Sequence, residues 1–205
     1  SSVTYGEDYK FTVDDGYTLG TVTIGGVEYQ PTLNEDGSYT IKGEDITGEI
    51  VITVIEPNYG VEVYEYVKLR TAQSVMLVVV KTDLPEGKTL NYAGSPMFYS
   101  AEYEGYAYLT IIGANESLTP EDAAKNLSQV NGTTTEVAYT GDANMSGVVD
   151  MNDAQLVYDM YNATFTSLNG SGLTMEHFLR ADMNADHKLD SFDARVIADS
   201  VYTKN

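Results

Sequence analysis

Two twelve-residue stretches in the last third of the chain place oxygen-bearing side chains at the spacing that a calcium ion requires. The first stretch, residues 142–153, has such side chains at positions 1, 3, 5, 9 and 12: Asp142, Asn144, Ser146, Asp150 and Asp153. Glycine stands at position 6, and Val148 at position 7 offers its main-chain carbonyl. Calcium takes roughly six to eight oxygen ligands, which alternate residues of a tight loop can supply. This stretch, called loop 1, is therefore predicted to bind calcium.

Residues 182–193, called loop 2, repeat the pattern. The oxygen-bearing side chains occupy the same positions: Asp182, Asn184, Asp186, Asp190 and Asp193. Lys188 offers the carbonyl of position 7. Position 6 is His187, which must adopt a left-handed backbone conformation that histidine tolerates better than most residues. We expect His187 to be exposed and not to be a ligand.

Each loop is followed by an apolar helical face. The residues of these two faces lie at equal offsets from their loops: Ala154, Val157 and Tyr161 after loop 1, and Ala194, Ile197 and Val201 after loop 2. A repeat that agrees in ligands and in the following helix is far more specific than one motif. The sequence thus predicts two bound calcium ions, with weaker binding by loop 1, where Ser146 replaces the usual acid.

Composition excludes several classes of protein. The chain of 205 residues has 31 acidic and 11 basic residues, a net charge of −20 and no cysteine. Nucleic acids and anionic membranes need basic patches, so neither is an expected partner. Disulfides and thiolate metal sites are ruled out. No apolar run approaches the ~18 residues of a membrane span, and no membrane insertion is expected. No signal peptide is visible at Ser1, and we expect a longer parent protein.

The region before Gly141 reads as short β-strands separated by turns. Strands are predicted at 21–24, 39–41, 48–55, 61–69, 74–81, 98–103 and 106–112, and short helices at 119–126 and 174–180. Both faces of 48–55 carry β-branched residues, which suggests a central strand of a sandwich. The predicted domains are a small β domain at 1–57, a second β domain at 58–139 and a third domain at 140–205.

The third domain resembles a dockerin. The resemblance rests on Gly141-Asp142-Ala143-Asn144, on the loop end at Asp153 and on the second copy that begins Asp182-Met183-Asn184. It covers about residues 141–203. It implies a small all-α domain with two EF-hand-like calcium loops, which binds a cohesin on a scaffoldin of an extracellular, bacterial cell-surface complex of the cellulosome type, for polysaccharide degradation. The segment 162–180 between the repeats is longer than in typical dockerins.

The β region resembles, more weakly, the X modules that often precede dockerins. This likeness rests on the β pattern, on position and on the stretch from Asp45 to Ile50. The expected fold class is therefore multi-domain: an N-terminal all-β part, with an Ig-like sandwich of X-module type, followed by the all-α dockerin domain.

Dockerins commonly contact cohesin through positions 10 and 11 of each loop and positions 17 and 18 in the following helix. Carried over to this chain, these positions are Met151, Asn152, Tyr158, Asp159, Ser191, Phe192, Ala198 and Asp199. The two sets differ, so the resemblance implies that the two repeats do not bind one cohesin interchangeably. Met151 and Phe192 suggest an apolar centre of the interface, unless one of them packs inward.

Three alternatives stay open. An enzyme is not expected, because the two histidines, His177 and His187, lie in the dockerin-like part, and the chain has neither a GxSxG nor an HExxH motif. A carbohydrate-binding or cell-surface adhesion module stabilised by calcium is the main alternative, with polysaccharide contact through tyrosines of the β region: Tyr99, Tyr103, Tyr106 and Tyr108. A calcium sensor would need a groove between paired helices, and no helix is expected before loop 1.

Overall fold

The computed structural model describes residues 6–14, 16–138, 140–162 and 172–203. The chain divides into two compact units, Ser1–Asn58 and Tyr59–Asn205. No helix in these described ranges combines the length and the apolar character that crossing a membrane requires.

The first unit contains six short strands. They are β1 (Tyr9–Phe11), β2 (Thr18–Ile24), β3 (Val27–Tyr29), β4 (Thr32–Leu33), β5 (Tyr39–Ile41) and β6 (Ile50–Ile55). Two three-stranded sheets result, in the orders β3-β2-β6 and β1-β5-β4. Val22 and Ile24 of the first sheet and Ile41 of the second are buried in one cluster. Alternate apolar residues therefore hold the two sheets together.

Strand β6 is not the central strand that its sequence suggested. It pairs with β2 and lies at the end of its three-stranded sheet as far as the structure describes it. Val51, Val54 and Ile55 are 45%, 47% and 59% exposed. Strand propensity of β-branched residues explains the pattern, because such residues favour strands whether or not both faces are buried.

The second unit contains eight strands. They are β7 (Gly60–Lys68), β8 (Ser74–Lys81), β9 (Lys88–Tyr92), β10 (Ser95–Pro96), β11 (Phe98–Ser100), β12 (Gly105–Ile112), β13 (Leu127–Asn131) and β14 (Thr135–Val137). A five-stranded sheet has the order β14-β11-β12-β8-β7, and a three-stranded sheet has the order β10-β9-β13. β11 and β14 run parallel, whereas the other pairs are antiparallel.

Strand β8 is buried on both faces. Val75, Leu77 and Val79 belong to one core cluster, and Val78 and Val80 belong to another. The second cluster contains Leu90, Tyr92 and Met97 from the region of the smaller sheet. Successive side chains of a strand point to opposite faces, so a strand with two covered faces needs an uninterrupted apolar sequence. This is the physical reason for the apolar run from Val75 to Val80.

Four α-helices complete the described part of this unit. They are α1 (Pro120–Ala124), α2 (Met151–Tyr161), α3 (Met175–Leu179) and α4 (Ser191–Thr203). Thr119 is the N-cap of α1, and its hydroxyl accepts a hydrogen bond from the Asp122 main-chain N–H, as Thr-Pro-Glu-Asp predicts. Thr174 caps α3 in a capping box with His177.

Helices α2, α3 and α4 share one core with the five-stranded sheet. The cluster that holds Leu77 and Leu109 of the sheet also holds Val157 of α2, Phe178 of α3 and Ile197 of α4, and all five are at most 2% exposed. The hydroxyl of Tyr66 on β7 donates to the carbonyl of Phe178 at 2.7 Å. Burial of these large side chains, each worth about 1.5–3 kcal/mol, binds the helices to the sheet.

The predicted fold class is therefore wrong. Of the residues that the structure describes, 36% lie in strands and 20% in helices, so this part of the chain is mostly β, and no small all-α domain with EF-hand-like loops is evident in it. The helices after residue 140 belong to the same compact unit as the sheet. Their buried apolar residues lie in one cluster with Leu77 of β8, so the sheet covers part of the helices' apolar surface.

Candidate functional site

Loop 1 is folded by its own side-chain oxygens. Asp142 accepts from the N–H of Ser146 through Oδ1 at 2.9 Å and from the N–H of Gly147 through Oδ2 at 2.8 Å. Asn144 Oδ1 also accepts from the Ser146 N–H, at 2.8 Å. Asp150 Oδ1 accepts from the N–H of Asn152 at 2.7 Å and thereby caps α2. The predicted ligand side chains of loop 1 thus hold its turns through hydrogen bonds to the main chain.

Four hydrogen bonds of loop 1 recur in loop 2. Asp182 Oδ2 accepts from the N–H of His187 at 3.1 Å, and Asn184 Oδ1 accepts from the N–H of Asp186 at 3.3 Å. Lys188 donates its N–H to Asp186 Oδ1 at 3.0 Å, as Val148 does to Ser146 Oγ at 3.3 Å. Asp190 Oδ1 accepts from the N–H of Phe192 at 2.7 Å. The repeat in sequence is therefore a repeat in local structure.

The last acid of each loop is buried. Asp153 is 0% exposed and accepts from the N–H groups of Asn144 and Asp150 at 3.0 and 2.9 Å. Asp193 is 1% exposed and accepts from the N–H groups of Met183 and Asp190 at 2.8 and 2.9 Å. Burial raises the pKa of Asp193, and these hydrogen bonds oppose the rise. Each acid ties the beginning of its loop to the helix that follows.

The backbone reverses at positions 4 and 6 of both loops. Met145 and Gly147 of loop 1 have φ of 57° and 86°, and Ala185 and His187 of loop 2 have φ of 54° and 68°. Left-handed backbone of this kind is uncommon outside glycine, and two matching pairs indicate that the loop geometry imposes it. The left-handed conformation predicted for His187 is present.

The prediction that His187 is exposed is wrong, because its side chain is half-buried. Its ring stacks between Tyr64, at a centroid distance of 4.2 Å, and Tyr103, at 4.7 Å. Burial lowers the pKa of His187, so the ring is favoured in its neutral form. His187, at position 6 of loop 2, is therefore packed against Tyr64 and Tyr103, whereas Gly147, at position 6 of loop 1, is exposed.

Asp182 is the most unusual acid of the site. It is 0% exposed, and its Oδ2 accepts a 2.6 Å hydrogen bond from the hydroxyl of Tyr103. Its Oδ1 is buried and has no hydrogen-bond partner in the described part of the chain. Burial raises its pKa to about 7, and the charges of Asp193 and Asp186 add to this effect, while the bond from Tyr103 opposes it. A cation at Oδ1 would remove this unfavourable state.

The donor set of the two loops fits calcium better than a transition metal. Among the described residues, no three histidine, cysteine, aspartate or glutamate side chains form a group that could hold a metal ion. The predicted ligands include three aspartates in loop 1 and four in loop 2, beside amide, hydroxyl and main-chain oxygens, and hard oxygen donors of this kind suit calcium. The Oδ1 atom of Asp182 is buried and has no hydrogen-bond donor among the described residues, which makes it suitable for binding a hard cation.

Most residues implied as partner contacts lie on the surface. Met151, Tyr158 and Phe192 are 44%, 50% and 41% exposed. Neither Met151 nor Phe192 packs inward. Asn152, Asp159, Ser191 and Asp199 are also exposed, and Ala198 is half-buried against the core. Exposed apolar side chains at the start of α2 and α4 make a candidate contact surface.

The tyrosines considered for sugar stacking are divided by the fold. Tyr103 is 2% exposed and is occupied with Asp182 and His187. Tyr108 stacks on Tyr92 at 4.8 Å. Tyr99 and Tyr106 meet edge to face at 5.4 Å and line an open depression of about 430 Å³ with Lys81 and Glu104. Two of the four tyrosines are therefore placed to meet a ligand.

Comparison with protein-family models, with curated proteins and with solved structures found no match for this chain.

Nothing in the sequence indicates that Tyr103 belongs to the site. It lies 79 residues before Asp182, in the turn between β11 and β12. Glu104 and Gly105, which follow it, predicted that turn correctly but not what the turn touches. Residues 163–171, which are part of the long segment between the repeats, lie outside the described residues.

Proposed function

We propose that the chain is a calcium-dependent docking module that binds a cohesin on a scaffoldin and so attaches its parent protein to an extracellular polysaccharide-degrading complex. Calcium would be held by the oxygens of loop 1 and loop 2. The observation that carries the proposal is the repeat of loop hydrogen bonds, with the buried and unpartnered Asp182 Oδ1 at its centre. Recognition without catalysis is the proposed mechanism.

Calcium would act on the partner surface through the helices. Asp150 and Asp190 accept from the N–H groups of Asn152 and Phe192, so the predicted ligands at position 9 of each loop also begin α2 and α4. Neutralising the loop acids removes their mutual repulsion and fixes these helix starts. Met151 and Phe192 would then be presented in one orientation to the β-sandwich of the cohesin.

The experiment is a calorimetric titration of the chain against a panel of cohesins, in calcium and in excess chelator. We expect binding by at least one cohesin in calcium and none in chelator. Tyr158→Ala and Phe192→Ala should each weaken that binding at least about 10-fold, because exposed aromatic residues are common hot spots. Leu33→Ala, which removes an apolar side chain that is 62% exposed in the first unit, is the matched control.

A calcium-loaded chain that binds no member of a broad panel would contradict the docking proposal. Equal binding in chelator would contradict its calcium dependence. Loss of binding in the Leu33→Ala control as well would show that the effect is not specific to the helices.

Polysaccharide binding by the second unit is the second candidate. The depression beside Tyr99 and Tyr106 favours it, since an aromatic pair beside polar Glu104 and Lys81 suits a sugar ring. Lys81 is held by Glu62 at 3.2 Å, so part of its charge is already satisfied. Affinity electrophoresis in polysaccharide gels tests this candidate, and retardation that Tyr99→Ala abolishes would support it.

A further inference from the structure

Loop 2 is attached to the five-stranded sheet through three separate contacts. Tyr103 donates its hydroxyl to Asp182 Oδ2 at 2.6 Å. Leu189 donates its N–H to the main-chain carbonyl of Tyr66 at 2.9 Å. His187 lies between the rings of Tyr64 and Tyr103. The sheet therefore contacts positions 1, 6 and 8 of the loop.

Loop 1 does not share this attachment at its first ligand. Both oxygens of Asp142 accept from main-chain N–H groups of loop 1 itself, those of Ser146 and Gly147. Asp142 is half-buried, whereas Asp182 is 0% exposed. The two loops are alike in internal structure but differ in what orients their first carboxylate.

The hydrogen bond from Tyr103 fixes which oxygen of Asp182 is left for an ion. Oδ2 receives two donors, the hydroxyl of Tyr103 and the N–H of His187, while Oδ1 has no donor among the described residues. A carboxylate held at one oxygen has a fixed rotamer, and its other oxygen is directed before the ion arrives. Partners that orient a metal ligand in this way typically change metal affinity by about 10- to 100-fold when they are removed.

We propose that Tyr103 is a positioning residue for loop 2, which sets the calcium affinity of that loop and couples ion binding there to the folded sheet, while loop 1 binds independently of it. The inference rests on the calcium arm of the proposed function and not on the identity of the docking partner. His187 supports Tyr103 by stacking on its ring, so the tyrosine is held from the side of the loop as well as from the sheet.

The test is a calcium titration of the full chain in which one loop is disabled at a time. In an Asp142→Ala background, where only loop 2 binds, Tyr103→Phe should weaken calcium binding at least about 10-fold. In an Asp182→Ala background, where only loop 1 binds, the same substitution should change the affinity less than about twofold. Tyr29→Phe, which removes a hydroxyl that donates to Asp45 at 2.8 Å in the first unit, is the matched control and should leave both affinities unchanged.

A second readout separates positioning from loss of structure. Near-ultraviolet circular dichroism and the melting temperature of Tyr103→Phe in chelator should stay close to those of the wild type, because phenylalanine keeps the ring and its stack on His187. The rise in melting temperature on adding calcium should be smaller in the variant than in the wild type.

Unchanged loop 2 affinity in Tyr103→Phe would overturn this inference while leaving the docking proposal intact. Equal weakening of both loops would overturn it too, since that result indicates a general effect on the fold. Calcium binding with the expected loop 2 effect but without cohesin binding would support the inference and contradict the docking proposal. A wild-type chain that binds no calcium would overturn both.

Discussion

At the scale of single residues, the carboxylate of Asp182 is the clearest indication that loop 2 is suited to a cation. A buried acid with an unpartnered oxygen and two acidic neighbours is unfavourable when ionised, and proteins normally pair such a charge. Because the pKa of Asp182 is about 7 in the metal-free folded chain, this carboxyl keeps a proton at pH values between about 4 and 7, where the unfolded chain has released it.

The raised pKa of Asp182 predicts an unusual pH dependence of the folded chain's stability. Because the pKa of Asp182 is higher in the folded chain than the unfolded value of about 4, the folded state binds more protons between pH 4 and 7, and its stability falls as pH rises through that window. In chelator, Asp182 should therefore lower the free energy of unfolding, measured by urea denaturation, by on the order of 1 kcal/mol or more between pH 5 and pH 7.5. Burial lowers the pKa values of His177 and His187, which contributes in the opposite direction, so the contribution of Asp182 is measured as a difference from a variant that lacks its carboxylate.

Asp182→Asn is the matched variant for this measurement. Asparagine cannot ionise, so the variant in chelator should lose most of the decrease between pH 5 and 7.5. Saturating calcium should reverse the wild-type trend, because the ion binds the ionised carboxylate. Equal changes of the unfolding free energy in the metal-free wild type and in Asp182→Asn over this window would contradict the description of Asp182.

The residues proposed as ligands could be selected from the sequence, but their surroundings could not be predicted from it. The spacing of Asp182, Asn184 and Asp186 is local information, and the loop realises it within a few residues. The partners of His187 and Asp182 are Tyr64 and Tyr103, which are distant in sequence and meet them only after the sheet has formed. The wrong prediction that His187 is exposed follows from this difference between local and distant contacts.

At the scale of elements, each helix after a loop has one buried face and one exposed face. Val157 and Ile197 are 0% exposed, as their helical spacing predicts, and Tyr158 is 50% exposed. α3 differs, since the adjacent Phe178 and Leu179 are both 0% exposed. Its place against the sheet could not be deduced, because five residues are too few to show a helical period.

Phe178 and Phe192 test this division between core and surface. Phe178→Ala should lower the free energy of unfolding by about 3–5 kcal/mol, because it empties a fully buried site. Phe192→Ala should cost less than about 1 kcal/mol, since its ring is 41% exposed and its described contact is with Arg195. Urea unfolding in calcium measures both. Equal losses would contradict the assignment of Phe192 to the partner surface.

The strands show the same limit of local information. The apolar run of β8 predicted a strand with correct bounds, from Ser74 to Lys81. It did not reveal that one face of that strand is covered by helices, because period-two alternation reports burial and not the identity of the covering element. β9, β13 and β14 were missed, since their polar residues, such as Asn91, Ser128 and Glu136, hide the alternation.

At the scale of the whole molecule, the loops and helices of residues 140–203 are part of a β-rich unit. A change of sequence character at Gly141 suggested a separate domain, but the core that contains Leu77 and Val157 crosses that point. Composition changes along a chain report local structure, whereas a domain is defined by shared burial. Calcium bound by the loops would therefore stabilise the sheet as well as the helices.

The number of calcium ions held by the full chain tests the central claim most directly. Native mass spectrometry after equilibration with calcium should give two ions for the wild type, one for Asp142→Ala, one for Asp182→Ala and none for the double variant. This pattern would assign one ion to each loop. A wild-type chain that retains no calcium, or two ions that survive both substitutions, would contradict the account.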